Sequence, residues 1–263
     1  MTAPEKTNLA RFLELAAASV GNGYLCRNQE YDFEDDLVSK NEELGMRNEE
    51  LEVSKTTNTI PRSDNDNLEK IAEEIKTCAL CRLCEGRTNA VPGEGVKNPV
   101  VMVIGEGPGA DEDASGRPFV GKAGQLLDKM LGSIGLSRES NCFIANIIKC
   151  RPPANRDPLP DEASLCISYL ERQIILLKPR FILSAGRISA QTLLRTTEPV
   201  GRLRGKFTKL EVGGLPPNGG VPPTGGLEIP LIATYHPAAL IRNEDLKRPA
   251  WEDLKVLRAA IEG

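Results

Sequence analysis

Only one histidine, His236, occurs in the chain, and no apolar run approaches the length of about 18 residues that a membrane span needs. The N-terminus also lacks the basic segment and unbroken apolar stretch of a secretory leader. These absences predict an intracellular protein, cytoplasmic if the source is prokaryotic, with no membrane partner. An excess of positive charge is missing too, since the net charge is −4, which argues against a uniformly basic nucleic-acid binder. The charge is unevenly spread, however. Residues 1–67 hold 7 of the 33 Lys/Arg and 14 of the 37 Asp/Glu, so 26 and 23 remain for residues 68–263. The acidity therefore belongs to the first 67 residues, and the main part of the chain, at +3, is free to present a DNA-facing surface.

In the acidic tail, Leu9, Phe12, Leu13, Ala16 and Val20 fall near helical spacing and predict one short amphipathic helix over 8–20. The rest, from Glu30 to Asn67, has few apolar anchors and reads as a largely disordered extension, with room for a protein partner to bind. From Leu68 the pattern changes. Leu68, Ile71 and Ile75 mark a helix, and Val100 to Ile104 form an apolar run that reads as a buried strand. A glycine-rich turn, Gly105 to Gly109, follows it. Helical patterns at 122–134, 161–177, 188–194 and 251–261 alternate with strand patterns at 142–148, 181–184 and 231–234. That alternation predicts an α/β fold, a three-layer α/β/α sandwich around a central, mainly parallel sheet, with working residues at the C-terminal ends of its strands. The stretch 213–226, GGLPPNGGVPPTGG, interrupts the pattern and reads as a surface loop between two strands.

Seven cysteines in an intracellular protein point to metal ligation or buried thiols before disulfides. Cys78 and Cys81 form a C-x-x-C pair. Cys150 follows a predicted strand and Cys166 lies on the next predicted helix, so a fold can bring both to the first pair. Four thiolates suit a [4Fe–4S] cluster or a tetrahedral zinc ion; buried small residues are the competing reading for Cys150 and Cys166. Cys84 is a further thiol close to the pair, while Cys26 and Cys142 look like bystanders. The turn after the first strand lacks a full G-x-G-x-x-G and does not by itself specify a dinucleotide.

Three strings, taken together, carry more information. Gly105 to Gly121 reads GEGPGADEDASGRPFVG, Asn146 lies within ANIIKCRPPANR, and the late string TYHPAALIRN runs from Thr234 to Asn243. In this order they resemble the motifs of family 4 uracil-DNA glycosylases, over roughly Glu69 to Gly263. The resemblance implies that fold, a [4Fe–4S] cluster held by Cys78, Cys81, Cys150 and Cys166, and hydrolysis of the N-glycosidic bond of deoxyuridine in DNA. Such a reaction would initiate base-excision repair in a protein expected to be a monomer.

By the same resemblance Glu106 and His236 are catalytic. Glu106 stabilises positive charge on the sugar or orients water, and His236 donates to the departing uracil O2. Phe119 stacks on the flipped base, Asn146 reads its Watson–Crick edge, Gly107 offers backbone contacts, and Glu112 lies against C5 to exclude thymine's methyl group. Leu240 and Arg242 belong to the loop expected to enter the minor groove. Lys149, Arg151, Arg156, Arg202, Arg204 and Lys206 are candidate phosphate contacts. The loop after the second motif, KCRPPANRDPLPDE, holds no histidine of the kind that traps the sugar covalently in one relative of the family, so turnover by ordinary hydrolysis is expected. Two other classes stay open: a non-catalytic iron–sulfur nucleic-acid-binding protein of the same fold, and a zinc-stabilised nucleotide-binding protein.

Overall fold

The computed structural model describes residues 66–212 and 226–263. The expected helix at 8–20, the character of the acidic tail and nearly all of the Gly/Pro-rich segment lie outside these residues. Within them the chain runs α1 (Leu68–Thr77), α2 (Leu83–Gly86), β1 (Glu94–Gly95), β2 (Val101–Gly105), α3 (Ala110–Ser115) and α4 (Lys122–Gly132). It continues through β3 (Cys142–Asn146), α5 (Pro160–Leu177), β4 (Phe181–Ala185), α6 (Arg187–Leu194), α7 (Val200–Leu203) and β5 (Phe207–Val212), then β6 (Leu227–Thr234), α8 (Pro237–Arg242) and α9 (Lys247–Glu262).

The six strands form one sheet in the order β1-β3-β2-β4-β6-β5. The inner pairs β3–β2, β2–β4 and β4–β6 are parallel, and the edge strands β1 and β5 are antiparallel to their neighbours. Every residue of β2 and β3 is buried, as parallel strands covered on both faces require, which is why these strands read as unbroken apolar runs. Successive side chains then divide between two cores. Met102, Ile104 and Phe143 face α1 and α5 through Ile71, Ile75, Leu170 and Ile174. Val101, Val103 and Ile144 face α4 and α9 through Leu127, Leu131, Leu254 and Leu257. The expected α/β/α sandwich is thus present. β6 extends four residues before the predicted start because its first half pairs only with edge strand β5, where burial alternates instead of running on.

From β2 the chain winds to β3 on one side and then to β4 on the other. This leaves a crevice at the C-terminal edge, where open α/β sheets bind ligands. Asn67 caps α1, its side chain accepting from Lys70 N at 2.8 Å. Asp66 beside it forms a two-pronged pair with Arg172 of α5, 2.7 Å on each prong, and so ties the start of the described segment to the long helix.

Candidate active site

A cavity of about 480 Å³ opens at the C-terminal ends of the parallel strands. Its walls include Glu106, Gly107, Glu112, Phe119, Asn146, His236 and Arg242, with Asp157, Arg187 and Tyr235. Eight of the residues singled out from the sequence for base, sugar or DNA contacts, Arg156 among them, therefore meet in one place. A hollow of similar size, about 420 Å³, lies between α5, α6 and β5, but Pro158, Ile167, Leu193 and Leu210 line much of it. Size does not separate the two; convergent polar chemistry does.

Asn146 ends β3 with 1% of its surface exposed. Its Oδ1 is the one buried side-chain N or O atom among the described residues that lacks a hydrogen-bond partner. Burying an acceptor unpaired costs about 1–3 kcal/mol, so the protein holds ready a site for an N–H donor. Gly105, at the end of β2, makes this convergence possible: a Cβ there would approach both Asn146 Oδ1 and Phe119 Cζ to 2.5 Å.

Phe119 adopts φ +53°, a left-handed conformation that bulky residues avoid and that carries a cost on the order of 1 kcal/mol or more. Two side chains hold it there. Buried Arg138 donates from Nη1 to Pro118 O and from Nη2 to Phe119 O, both at 2.9 Å, and is itself fixed by Asp128 Oδ1 at 2.8 Å. From the other side, Glu112 Oε1 accepts from Val120 N and Gly121 N at 2.9 Å each, and Oε2 accepts from Gly109 N at 3.1 Å. Glu112 thus lines the cavity as expected, with its carboxylate engaged by backbone amides. Arg138 escaped sequence reading because it lies 19 residues from Phe119 with no motif around it.

His236 caps α8, its Nδ1 accepting from Ala238 N at 3.2 Å. A neutral ring that accepts at Nδ1 carries its proton on Nε2. Burial, reinforced by the Arg242 charge, pushes the imidazolium down to about 4, so at neutral pH the ring is an uncharged Nε2–H donor. Its centroid lies 5.6 Å from that of Phe119. Glu106 follows β2, and its carboxyl is raised above the ordinary range, first by burial and then by Asp157, with Arg187 opposing.

Some expectations need correction. Leu240 was placed in the loop that enters the groove, yet it is 2% exposed and packed inward, whereas its neighbour Ile241 is 48% exposed. On helix α8 consecutive residues point about 100° apart, so the exposed apolar side chain falls one position later. Lys149 is no phosphate contact: it is 1% exposed, and its Nζ donates to Asn146 O at 3.0 Å and Gln173 Oε1 at 2.9 Å. Arg204 is committed to Asp253 (3.0 and 2.7 Å) and lies 5.3 Å from the Tyr235 ring. Arg156 is forked onto Glu162 at 2.8 and 2.7 Å.

The cysteines gather on the far side of β3's end. Cys78, Cys81, Cys84, Cys150 and Cys166 line one small cavity with Arg87, Lys149 and Tyr169. Arg87 Nη1 donates to Cys150 Sγ at 3.0 Å and Lys149 N to Cys166 Sγ at 3.3 Å. Burial pushes the Cys166 thiol up to about 12, so that sulfur ionises only against a strong positive partner. No three metal-binding side chains among the described residues converge as a single ion would require. The donor set is all sulfur and is flanked by Arg87 and Lys149, which suits thiolate ligation of an iron–sulfur cluster. Cys142 stands apart, buried among apolar side chains on the opposite face of the sheet.

A doubly wound α/β domain whose crevice offers an aromatic platform, an unpaired buried amide oxygen and a neutral imidazole donor defines a class of protein that holds a planar, hydrogen-bonding base. Comparison with known proteins is specific on this point. Residues 92–255 match the model of the uracil DNA glycosylase superfamily. The chain is 42% identical over 201 residues to the type-4 uracil-DNA glycosylase of Saccharolobus solfataricus, covering 74% of this chain and 87% of the relative. It is 43% identical over 192 residues to the type-4 enzyme of Pyrobaculum aerophilum (72% and 91%), but 31% identical over 185 residues to the type-5 enzyme of the same organism (65% and 74%). The chain belongs to the uracil DNA glycosylase superfamily and, within it, to type 4.

Proposed function

We propose that the protein hydrolyses the N-glycosidic bond of deoxyuridine in DNA, releasing uracil and leaving an abasic site, and so initiates base-excision repair. The observation that carries this reading is the unpaired Oδ1 of Asn146. Uracil presents an N3–H donor beside its O4 acceptor, matching the carbonyl and amino ends of one asparagine amide. Cytosine presents the reverse pattern and would leave the buried oxygen unsatisfied.

The base must leave the stack to reach this cavity. Phe119, clamped by Arg138 and Glu112, supplies the platform, and Gly107 lines the same wall. Glu112, immobilised by three amides, stands against C5 and leaves no room for thymine's methyl group. As the C1′–N1 bond breaks, its electron pair passes to the uracil, and negative charge on O2 meets the Nε2–H of His236. A single preorganised donor of this kind contributes about 3–4 kcal/mol. Glu106 faces the positive charge growing on the sugar. Ile241, with Arg242 beside it, takes the place first assigned to Leu240 as the side chain that enters the groove.

Cys78, Cys81, Cys150 and Cys166 would hold a [4Fe–4S] cluster, with Cys84 a spare thiol beside them. The cluster would brace the segment from Asn146 to Cys166 and takes no part in bond breaking. Uracil release from a uracil-containing oligonucleotide, beside a thymine control, tests the assignment. Wild type releases uracil alone, and Asn146→Asp loses its preference for uracil over cytosine. An Asn146→Asp variant with unchanged base preference would remove the recognition role.

A further inference from the structure

The chemistry above leaves charged residues of the cavity wall unused. Among them, Asp157 and Arg187 form an ion pair and line the same cavity as Glu106. We propose that Asp157 is a second catalytic carboxylate, acting at the deoxyribose beside Glu106, with Arg187 as its positioning residue. The proposal rests on uracil excision as the reaction.

The backbone presents Asp157 firmly. Arg156 Nη1 donates to the Asp157 carbonyl at 2.9 Å, and the same guanidinium forks onto wholly buried Glu162. Glu162 also accepts from Leu159 N at 2.8 Å and caps α5. Asp157 therefore sits between anchored residues, followed directly by Pro158, which fixes its own φ. Its partner comes from another part of the fold. Arg187 opens α6 immediately after Gly186, whose φ of +101° turns the chain against His236, where a Cβ would come within 2.9 Å. Arg187 thus projects from the strand-end crevice beside the leaving-group donor.

Electrostatics agrees with this placement. Asp157 lies near enough to Glu106 to oppose its ionisation, and Arg187 lies near enough to both to offset that. A carboxylate at the mouth of a cavity that admits a phosphodiester weakens DNA binding, a cost that a role in the reaction would offset. Hydrolysis has two tasks on the sugar side. As the C1′–N1 pair departs with uracil, one group must face the cation at C1′. As a water lone pair forms the new C1′–O bond, another must accept the water's proton and pass it to solvent. Paired carboxylates divide such work in glycoside hydrolysis. Glu106, the more buried, faces the cation; Asp157, at the open side, orients and deprotonates the water.

The test measures single-turnover uracil release from a uracil-containing oligonucleotide, and affinity for the same oligonucleotide with a non-hydrolysable 2′-fluoro-deoxyuridine. Asp157→Asn is expected to slow release about 10²-fold, in the range of a lost general base, while binding the fluorinated DNA as tightly as wild type or more tightly. Arg187→Met should slow release less, by about tenfold. Asp157→Glu, which restores the carboxylate, should recover much of the rate. If Asp157→Asn releases uracil at the wild-type rate, or if Asn and Glu variants are equally slow and melt lower, Asp157 is structural and the proposal falls. Absence of release by wild type would instead remove the uracil reading itself.

Discussion

Where β3 ends, the backbone passes from one site to the other within four residues: Asn146 lines the base cavity, and Cys150 lines the cysteine cavity. The two are built on opposite rules. In the base cavity a buried amide oxygen is left without a partner, and the neutral imidazole of His236 accepts at Nδ1, which leaves its proton on Nε2. In the cysteine cavity Cys150 and Cys166 already accept hydrogen bonds, from Arg87 and from Lys149 N. On the proposed reading, a site for a transient base keeps its hydrogen-bonding groups unspent, whereas a site for a resident cluster would fix its ligands in the resting fold. Lys149 joins them, donating from Nζ to Asn146 O on one side and from its own N–H to Cys166 Sγ on the other. Damage on the cysteine side should therefore reach the base cavity, and damage in the base cavity should stay local.

The largest effect is expected at the cysteines. Cys150→Ser should lower iron content from about four atoms per chain, as for a [4Fe–4S] cluster, and destabilise the fold by more than about 4 kcal/mol, the range of a lost metal site. Because Lys149 precedes it, uracil selectivity should fall as well. Iron analysis, thermal melting and a uracil-versus-cytosine assay on one preparation would read all three. A variant that keeps its iron and its melting temperature would overturn the division between a permanent and a transient site.

A smaller and purely local effect is expected at His236. This residue both caps α8 and faces the cavity, so an alanine would also cost the cap, about 1 kcal/mol. Asparagine separates the roles, being a good cap without the imidazole Nε2–H. His236→Asn should lose about 10²–10³ in kcat, as for one oxyanion-type donor, with melting unchanged. Equal losses of activity and stability would make the histidine chiefly a capping residue.

These contrasts also explain what was legible in the sequence. The buried parallel strands announced themselves because both faces are covered, leaving apolar runs such as VMVIG. Edge strand β5, with alternating burial in FTKLEV, carried a weaker signal. At the site, Glu106, Phe119, Asn146 and His236 stood in recognisable strings, and the structure brings all four to one cavity. What remained hidden depended on contacts distant in sequence. Arg138 reaches the Phe119 loop from 19 residues away, and Arg187 meets Asp157 across 30. Lys149 reads as a surface cation until its burial is seen, and the inward turn of Leu240 depends on helical phase, which the string TYHPAALIRN does not display.

The subtlest expected effect is in the pH profile, where His236 and Glu106, two of the groups proposed to act in the reaction, shift in opposite directions. His236 is pushed down to about 4, from an ordinary value of 6.5, by burial and Arg242, with Glu112 opposing. Its neutral form, the one that donates from Nε2 while accepting at Nδ1, therefore persists as pH falls through 6 and 5. Glu106 is shifted upward by burial and Asp157, against Arg187. Its carboxylate is the form that stabilises the sugar cation, and it is lost on acidification at a higher pH than for an exposed glutamate. Acid loss of single-turnover activity should accordingly follow Glu106, with no separate fall near 6.5. Glu106→Gln, slower throughout, should move the acid limb to lower pH. A limb near 6.5 that survives in Glu106→Gln would mean that the imidazole titrates as an exposed histidine does, and the leaving-group role built on its neutral form would then have to be abandoned.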